Sequence, residues 1–263
     1  GISTKTHLIK SYLPRFFGAG SLEVFNDGES NVTEHIVILE DLTKSGYYNT
    51  GFANFHTTIQ IQSALQALAT FHATCYTIEH LGGIELLKEH PILEDRLFAK
   101  DNEANTDMFF TRTFINHLKV LQSLAIGIKE NHPAVANHPE LPQNTDLNYL
   151  DDLIRLSPKI LTIIRKARLP MGSVFDVLCH GDFHFGNVSF SDKEELGIKI
   201  YDFQELGYRS CITDILQYLS QVMAPEDLRN SLNDLLGVYI VRFCAVAMEC
   251  GLTDEDTLSA FSP

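Results

Sequence analysis

With 263 residues, 44% of them hydrophobic and 21% charged, the chain is long enough to bury a core as one large domain or two small ones, and too apolar to stay disordered. Its formal net charge is −14 and its densest basic run is Arg165-Lys166-Ala167-Arg168, which excludes a sequence-independent grip on nucleic acid or anionic lipid and makes a multivalent cation welcome. Cys75, Cys179, Cys211, Cys244 and Cys250 are odd in number, widely spaced and set in apolar runs, the pattern of buried thiols in a reducing, cytoplasmic compartment with no disulfides.

In chain order, the opening GISTKTHLIK lacks the apolar core of a secretory signal. It also lacks an initiator Met, so a fragment cut from something longer is expected. Gly18-Ala19-Gly20 reads as a flexible connection ahead of a strand at His35 to Leu39 (HIVIL). Glu40-Asp41 and a turn at Ser45-Gly46 follow. Ile61, Leu65, Leu68, His72 and Cys75 then recur at spacings of three and four, predicting a long helix that stops at Gly82-Gly83. On that apolar face His72 reads as a satisfied core histidine rather than a reacting one. Phe114, Leu118, Leu121, Ala125 and Ile128 predict a second helix, ended by Asn131-His132-Pro133, with a loop between Pro133 and Pro142.

Asp146 to Leu156 reads as a third helix. Ser157-Pro158 reads as an N-cap and first-turn proline opening a fourth, which runs to about Ala167; one long helix kinked at Pro158 fits the periodicity almost as well. Three strands follow, Val174 to Leu178, Asn187 to Phe190 and Gly197 to Tyr201, the last two joined by the polar turn 191–195. Helices return at about Thr213 to Met223 and Pro225 to Glu249, with Gly251 as a C-terminal stop. No apolar stretch approaches the roughly 20 residues that span a bilayer, so no membrane insertion is expected.

The segment CHGDFHFGNVSFSDKEELGIKIYDFQ, from Cys179 to Gln204, sets two aspartates, an asparagine and two histidines around apolar strands. Carboxylates there are unfavourable unless something cationic or hydrogen-bonding meets them. Phosphoryl transfer from a nucleotide needs a carboxylate beside the acceptor hydroxyl and oxygen ligands for Mg²⁺ on the phosphates. Asp182 stands where the chain leaves a strand, Asn187 five residues on, and Asp202 directly after the apolar strand that closes the hairpin.

The order H-G-D, four residues, N, then D-F across a hairpin resembles the catalytic and metal-binding loops of protein-kinase-like phosphotransferases. The HGD form is similar to the small-molecule branch that includes aminoglycoside phosphotransferases and choline kinases. Together with Val37-Ile38-Leu39-Glu40-Asp41-Leu42, Leu68-Ala69-Thr70-Phe71-His72-Ala73, Tyr201-Asp202-Phe203-Gln204 and Thr213-Asp214-Ile215, it resembles the ecdysteroid-kinase-like (CHK-kinase-like) family over roughly Leu13 to Gly251. That resemblance implies an α+β, protein-kinase-like fold: the end of an N-lobe and its hinge strand over 1–42, then a helical C-lobe with a small catalytic β-hairpin over 43–263. It implies ATP and Mg²⁺ as cofactors and a small-molecule alcohol, such as a steroid, as substrate. Asp182 would be the catalytic base or orienter, with His180 bracing its loop. Asn187 and Asp202 would be Mg²⁺ ligands, the Glu40 carbonyl and Leu42 amide would meet the adenine edge, and Asp214 would support the catalytic loop. Oligomeric state is not encoded legibly.

Two rivals stand beside this reading. His180, Asp182 and His184 alternate, so an extended chain would point them one way, as in a zinc hydrolase; no other histidine supplies a ligand-spacing motif. Secondly, only 22 positions separate Gly18 from Glu40, too few for a phosphate-covering loop, a lysine strand, a helix and two more strands. The N-lobe is therefore expected to be largely missing, and the chain to be either a fragment of a longer kinase, weakly active alone, or a catalytically incomplete binding module.

Overall fold

The computed structural model describes residues 7–24, 32–51, 55–94, 113, 115–131, 148–170, 172, 175–193, 197–253 and 255. Two compact units divide the chain, 1–93 with 171–263, and 94–170. The larger unit opens with a short helix, α1 (His7–Lys10), and an antiparallel pair, β1 (Phe16–Val24) and β2 (Val32–Leu39). Gly18-Ala19-Gly20, expected as a loose connection, lies inside β1, because its backbone pairs with Val37 and its neighbours whatever its own propensity. The HIVIL strand is confirmed, yet Ile36 to Leu39 are all exposed, and so are Phe16 and Phe17.

The core is built on α2 (Thr58–Gly82). Thr57 and Gln60 form a reciprocal capping box at its start, and Gly83, left-handed at φ 61°, ends it at the predicted place. From Ala64 to Thr74 all positions but Gln66 are buried, and alanines at 64, 67, 69 and 73 leave room for a second helix to approach. Thr70, Thr74 and Thr77 turn their hydroxyls back onto carbonyls four residues earlier, which lets polar side chains sit in that interior. A short helix, α3 (Leu86–Glu89), follows.

The smaller unit holds α4 (Asn116–Asn131) and α5 (Asn148–Arg168), with Leu118, Leu150 and Leu161 buried and Gln122 donating to Asp151. Pro158 lies within α5, so the single long helix is correct and the Ser157 N-cap is not. Ser157 instead donates its hydroxyl to the Leu153 carbonyl at 2.7 Å. The expected 133–142 loop lies outside the described residues.

Back in the larger unit, β3 (Asp176–Cys179) pairs with β6 (Gly207–Ser210), and β4 (Val188–Ser191) pairs with β5 (Gly197–Ile200), both antiparallel. Strand β6 is an addition to the predicted set. Two helices finish the unit, α6 (Ile212–Val222) and α7 (Pro225–Glu249). Helix α7 is long and apolar enough to cross a membrane by length and composition. Its Leu235, Tyr239, Phe243, Val246 and Ala247 are buried in the core while Val241 and Met248 are exposed, so the expectation that no apolar stretch approaches a bilayer span does not hold by length and composition.

Candidate active site

Strand β3 delivers Cys179 into the core, and the backbone then turns sharply at Gly181, where φ is +86°. A Cβ there would stand 1.8 Å from the Glu205 carbonyl oxygen, so the HGD order admits only glycine at its centre. The turn exposes two amide N–H groups to the interior, and one carboxylate takes both. Asp214 accepts from His180 N at 2.7 Å and from Gly181 N at 3.0 Å. His72 Nε2 lies 3.1 Å from the same Asp214 Oδ2, and His72 Nδ1 meets the Tyr239 hydroxyl at 2.7 Å. Asp214 and His72 are both 0% exposed. Burial alone would raise the Asp214 carboxyl, but the hydrogen bonds from His72 and Gly181 outweigh it and hold the group below the ordinary carboxylate range. His72 is thus buried as expected, and it also belongs to the loop's support.

His180 is a brace. Its Nε2 donates to the Tyr201 carbonyl at 2.9 Å, its Nδ1 accepts from Asp182 N at 3.4 Å, and burial pushes its basicity down. Its ring lies 4.5 Å from that of Phe203, which in turn packs 5.3 Å from Phe71 of α2. The two segments, 180–182 and 201–203, are therefore fixed to each other and to the core helix. Asp182 turns outward, its side chain 30% exposed. Its Oδ1 accepts from Gln217 Nε2 at 2.9 Å, and its Oδ2 lies 3.5 Å from His184 Nε2. His184 Nδ1 accepts from Gly186 N, so the proton of the neutral ring is on Nε2, facing Asp182.

Asn187 ends a 3₁₀ turn over Phe185–Asn187. Its Nδ2 donates to the Asp182 carbonyl at 2.9 Å, which fixes the amide and leaves Oδ1 as the end able to serve as a ligand. Asn49 clamps the same turn from outside, its Nδ2 donating to the carbonyls of Phe185 and Val188 at 2.7 and 2.9 Å. Directly across the hairpin, Tyr201 N donates to the Asn187 carbonyl at 3.1 Å. The next residue, Asp202, has φ +67°, left-handed for a residue with a side chain. Such a conformation costs free energy and is found where position matters more than comfort. Among the described residues no hydrogen bond or ion pair engages the Asp202 carboxylate.

Asp202 lines a cavity of about 540 Å³ together with Leu39, Glu40, Leu42, Tyr47, Asn49 and Tyr201. That volume is in the range of small-ligand sites. Glu40 N donates to the Arg15 carbonyl and the Leu42 carbonyl accepts from Tyr47 N. Neither the Glu40 carbonyl nor the Leu42 amide has a backbone partner among the described residues, so both remain for a ligand edge. The Glu40 carboxylate accepts from Ser45 Oγ and Arg15 N, which lowers its proton affinity in that order.

The six residues singled out in the sequence thus form two groups. Asn187 links Asp182 to Tyr201, the residue before Asp202, and His180 ties the same two segments together. Glu40 and Leu42 share a cavity with Asp202, while Asp182 and Asn187 are not in its wall. Two oxygen donors, Asn187 Oδ1 and the Asp202 carboxylate, suit a hard divalent cation. The alternation at His180, Asp182 and His184 makes no zinc site, because both His180 nitrogens are engaged. Among the described residues, the histidine, cysteine and carboxylate ligand atoms that cluster within 4.8 Å belong to His72, Cys179 and Asp214. His72 and Asp214 there satisfy each other and the loop. Gln217 and Asn49 were not anticipated, and His184 only as a zinc ligand. Gln217 could have been found, because it lies three residues after Asp214 on the same helix face.

A family model described as the ecdysteroid kinase-like family matches residues 10–251. No curated protein matches the chain. A crystal structure of aminoglycoside-3'-phosphotransferase of type VIII aligns with 99% of this chain and 76% of its own, at 13% identity and a TM-score of 0.36.

Proposed function

Because this chain belongs to the ecdysteroid kinase-like family, we propose that it transfers the γ-phosphoryl group of ATP to the hydroxyl of a small-molecule alcohol, a steroid or comparable lipophilic alcohol. The observation that carries this reading is the orientation of Asn187. Its amide nitrogen is spent on the Asp182 carbonyl, so its oxygen is left over as a ligand, and its backbone carbonyl pairs with Tyr201 N, the residue before Asp202. In this mechanism the Glu40 carbonyl and Leu42 amide receive the adenine edge, and the triphosphate extends toward Asp202. Asn187 Oδ1 and the Asp202 carboxylate would hold Mg²⁺, which when bound offsets the charge of the phosphates.

Asp182 orients the acceptor hydroxyl and takes its proton as the oxygen attacks the γ-phosphorus and the bond to the ADP oxygen breaks. The proton then passes to solvent, to which Asp182 is partly open. His180 does not react; it fixes the spacing of Asp182 from the Asp202 strand. We assign the chain a cytoplasmic setting, in which cysteines stay as thiols.

ADP release from ATP with MgCl₂, measured against a panel of alcohols, tests the proposal. Asp182→Ala abolishes transfer by a factor of about 10² to 10⁴ and leaves ATP affinity nearly intact. Asp202→Ala removes the metal dependence and most of the activity. Turnover at parental rates in both variants overturns the site.

A further inference from the structure

Helix α6 touches the catalytic loop residue by residue. Asp214 grips the amides of His180 and Gly181, and Tyr218 packs its ring 5.1 Å from that of Phe183 while its hydroxyl meets His56 Nδ1 at 2.7 Å. Between them Gln217, at i+3 from Asp214, reaches the one loop residue left, with Nε2 donating to Asp182 Oδ1 at 2.9 Å. The amide end is fixed by chemistry, since a carboxylate accepts only from the NH₂ side. The Asp182 side chain is 30% exposed, and nothing else among the described residues holds Oδ1.

We propose that Gln217 is a positioning residue that locks the Asp182 carboxylate in one rotation and so reserves Oδ2 for the acceptor hydroxyl. The choice of an amide is informative. A lysine or arginine there would pair with Asp182 as an ion and compete with the substrate, whereas glutamine supplies direction without adding charge. His184 Nε2, 3.5 Å from Oδ2, is too far for a strong bond and leaves that oxygen open. Misorientation of a reacting group by a fraction of an ångström costs rate rather than binding. The inference deepens the phosphotransferase reading and rests on Asp182 as proton acceptor.

The test uses the full chain with MgATP, first with water and then with alcohols of the panel as acceptor. Gln217→Glu keeps the shape but replaces the donor by a second carboxylate; Gln217→Met keeps the volume and removes the donor. Met lowers kcat about tenfold and Glu by more, with KM for ATP within about twofold of the parent. On the Asp182→Asn background neither substitution costs further rate. A role in packing alone predicts instead that Glu behaves as Gln, or that the loss persists at full size without Asp182, and either result overturns the proposal. Loss in Asp182→Asn with parental kcat in both Gln217 variants overturns it alone; parental kcat in Asp182→Asn overturns the phosphotransferase site as well. Independently of turnover, the Gln217 side-chain amide resonances shift in Asp182→Asn, and unmoved resonances contradict the contact.

Discussion

The 180–182 loop and the Glu40–Leu42 segment, the proposed catalytic loop and hinge, are each held by a carboxylate that accepts backbone N–H, one sealed from water and the other partly open to it. Asp214, fully buried, takes the amides of His180 and Gly181 and the ring of His72. Glu40 takes Arg15 N and Ser45 Oγ at the surface. The bonds are of one kind, but the alternatives differ. Remove Glu40 and water replaces it; remove Asp214 and two amides and an imidazole are left without partners in the core. The loop that carries Asp182 is built where failure is expensive, and the proposed hinge where the chain can yield.

Substitution should expose that difference most strongly at Asp214. Asp214→Ala is expected to cost about 3–5 kcal/mol of unfolding free energy by denaturant titration, because donors are stranded rather than merely unpaired. Asp214→Asn, which keeps one acceptor, is expected to cost about 1–3 kcal/mol. It should also flatten the acid limb of stability. A carboxyl depressed in the folded state stabilises above its ordinary value of 3.8 and loses that contribution as the pH falls through the folded value.

His56 sharpens the comparison one step down. Buried between Thr50 and Tyr218, it is pushed by burial from 6.5 to about 4. The unfolded chain therefore binds this proton first as the pH falls, and stability is lost between about 6.5 and 4. This group alone should make the protein about 2 kcal/mol less stable at pH 5 than at pH 7, and His56→Gln should lack most of that slope in unfolding titrations at the two pH values. Glu40→Gln stands at the bottom of the scale, within about 0.5 kcal/mol of the parent in the same assay. A loss at Glu40 equal to that at Asp214 would mean that burial does not set the cost of removing either carboxylate.

Much of this was legible beforehand because it is local. The 3.6 period and Gly83 mark the end of α2, Pro225 and Glu249 bound α7 as expected, and the order of Asp182, Asn187 and Asp202 around a hairpin is readable as spacing. What escaped depends on partners far along the chain. β1 carries Gly-Ala-Gly and becomes a strand only by pairing with β2, and β6 is four residues that pair with β3 across about 30 positions. Pro158 misled because a proline after serine signals a helix start, yet the helix on either side was strong enough to continue through it. Gln217 and Asn49 have no motif of their own. Their roles follow from helix phase and from where residues 47–50 cross the 185–188 turn.

In the proposed site Asn187 and Asp202 hold a divalent cation against bound ATP. Calorimetric titration of ATP into the protein, with and without MgCl₂, for the parent and for Asp202→Asn, tests it most directly. Tighter ATP binding with Mg²⁺ is expected in the parent, and at least about a tenfold loss of that enhancement in the variant. An equal Mg²⁺ enhancement in both proteins would contradict it.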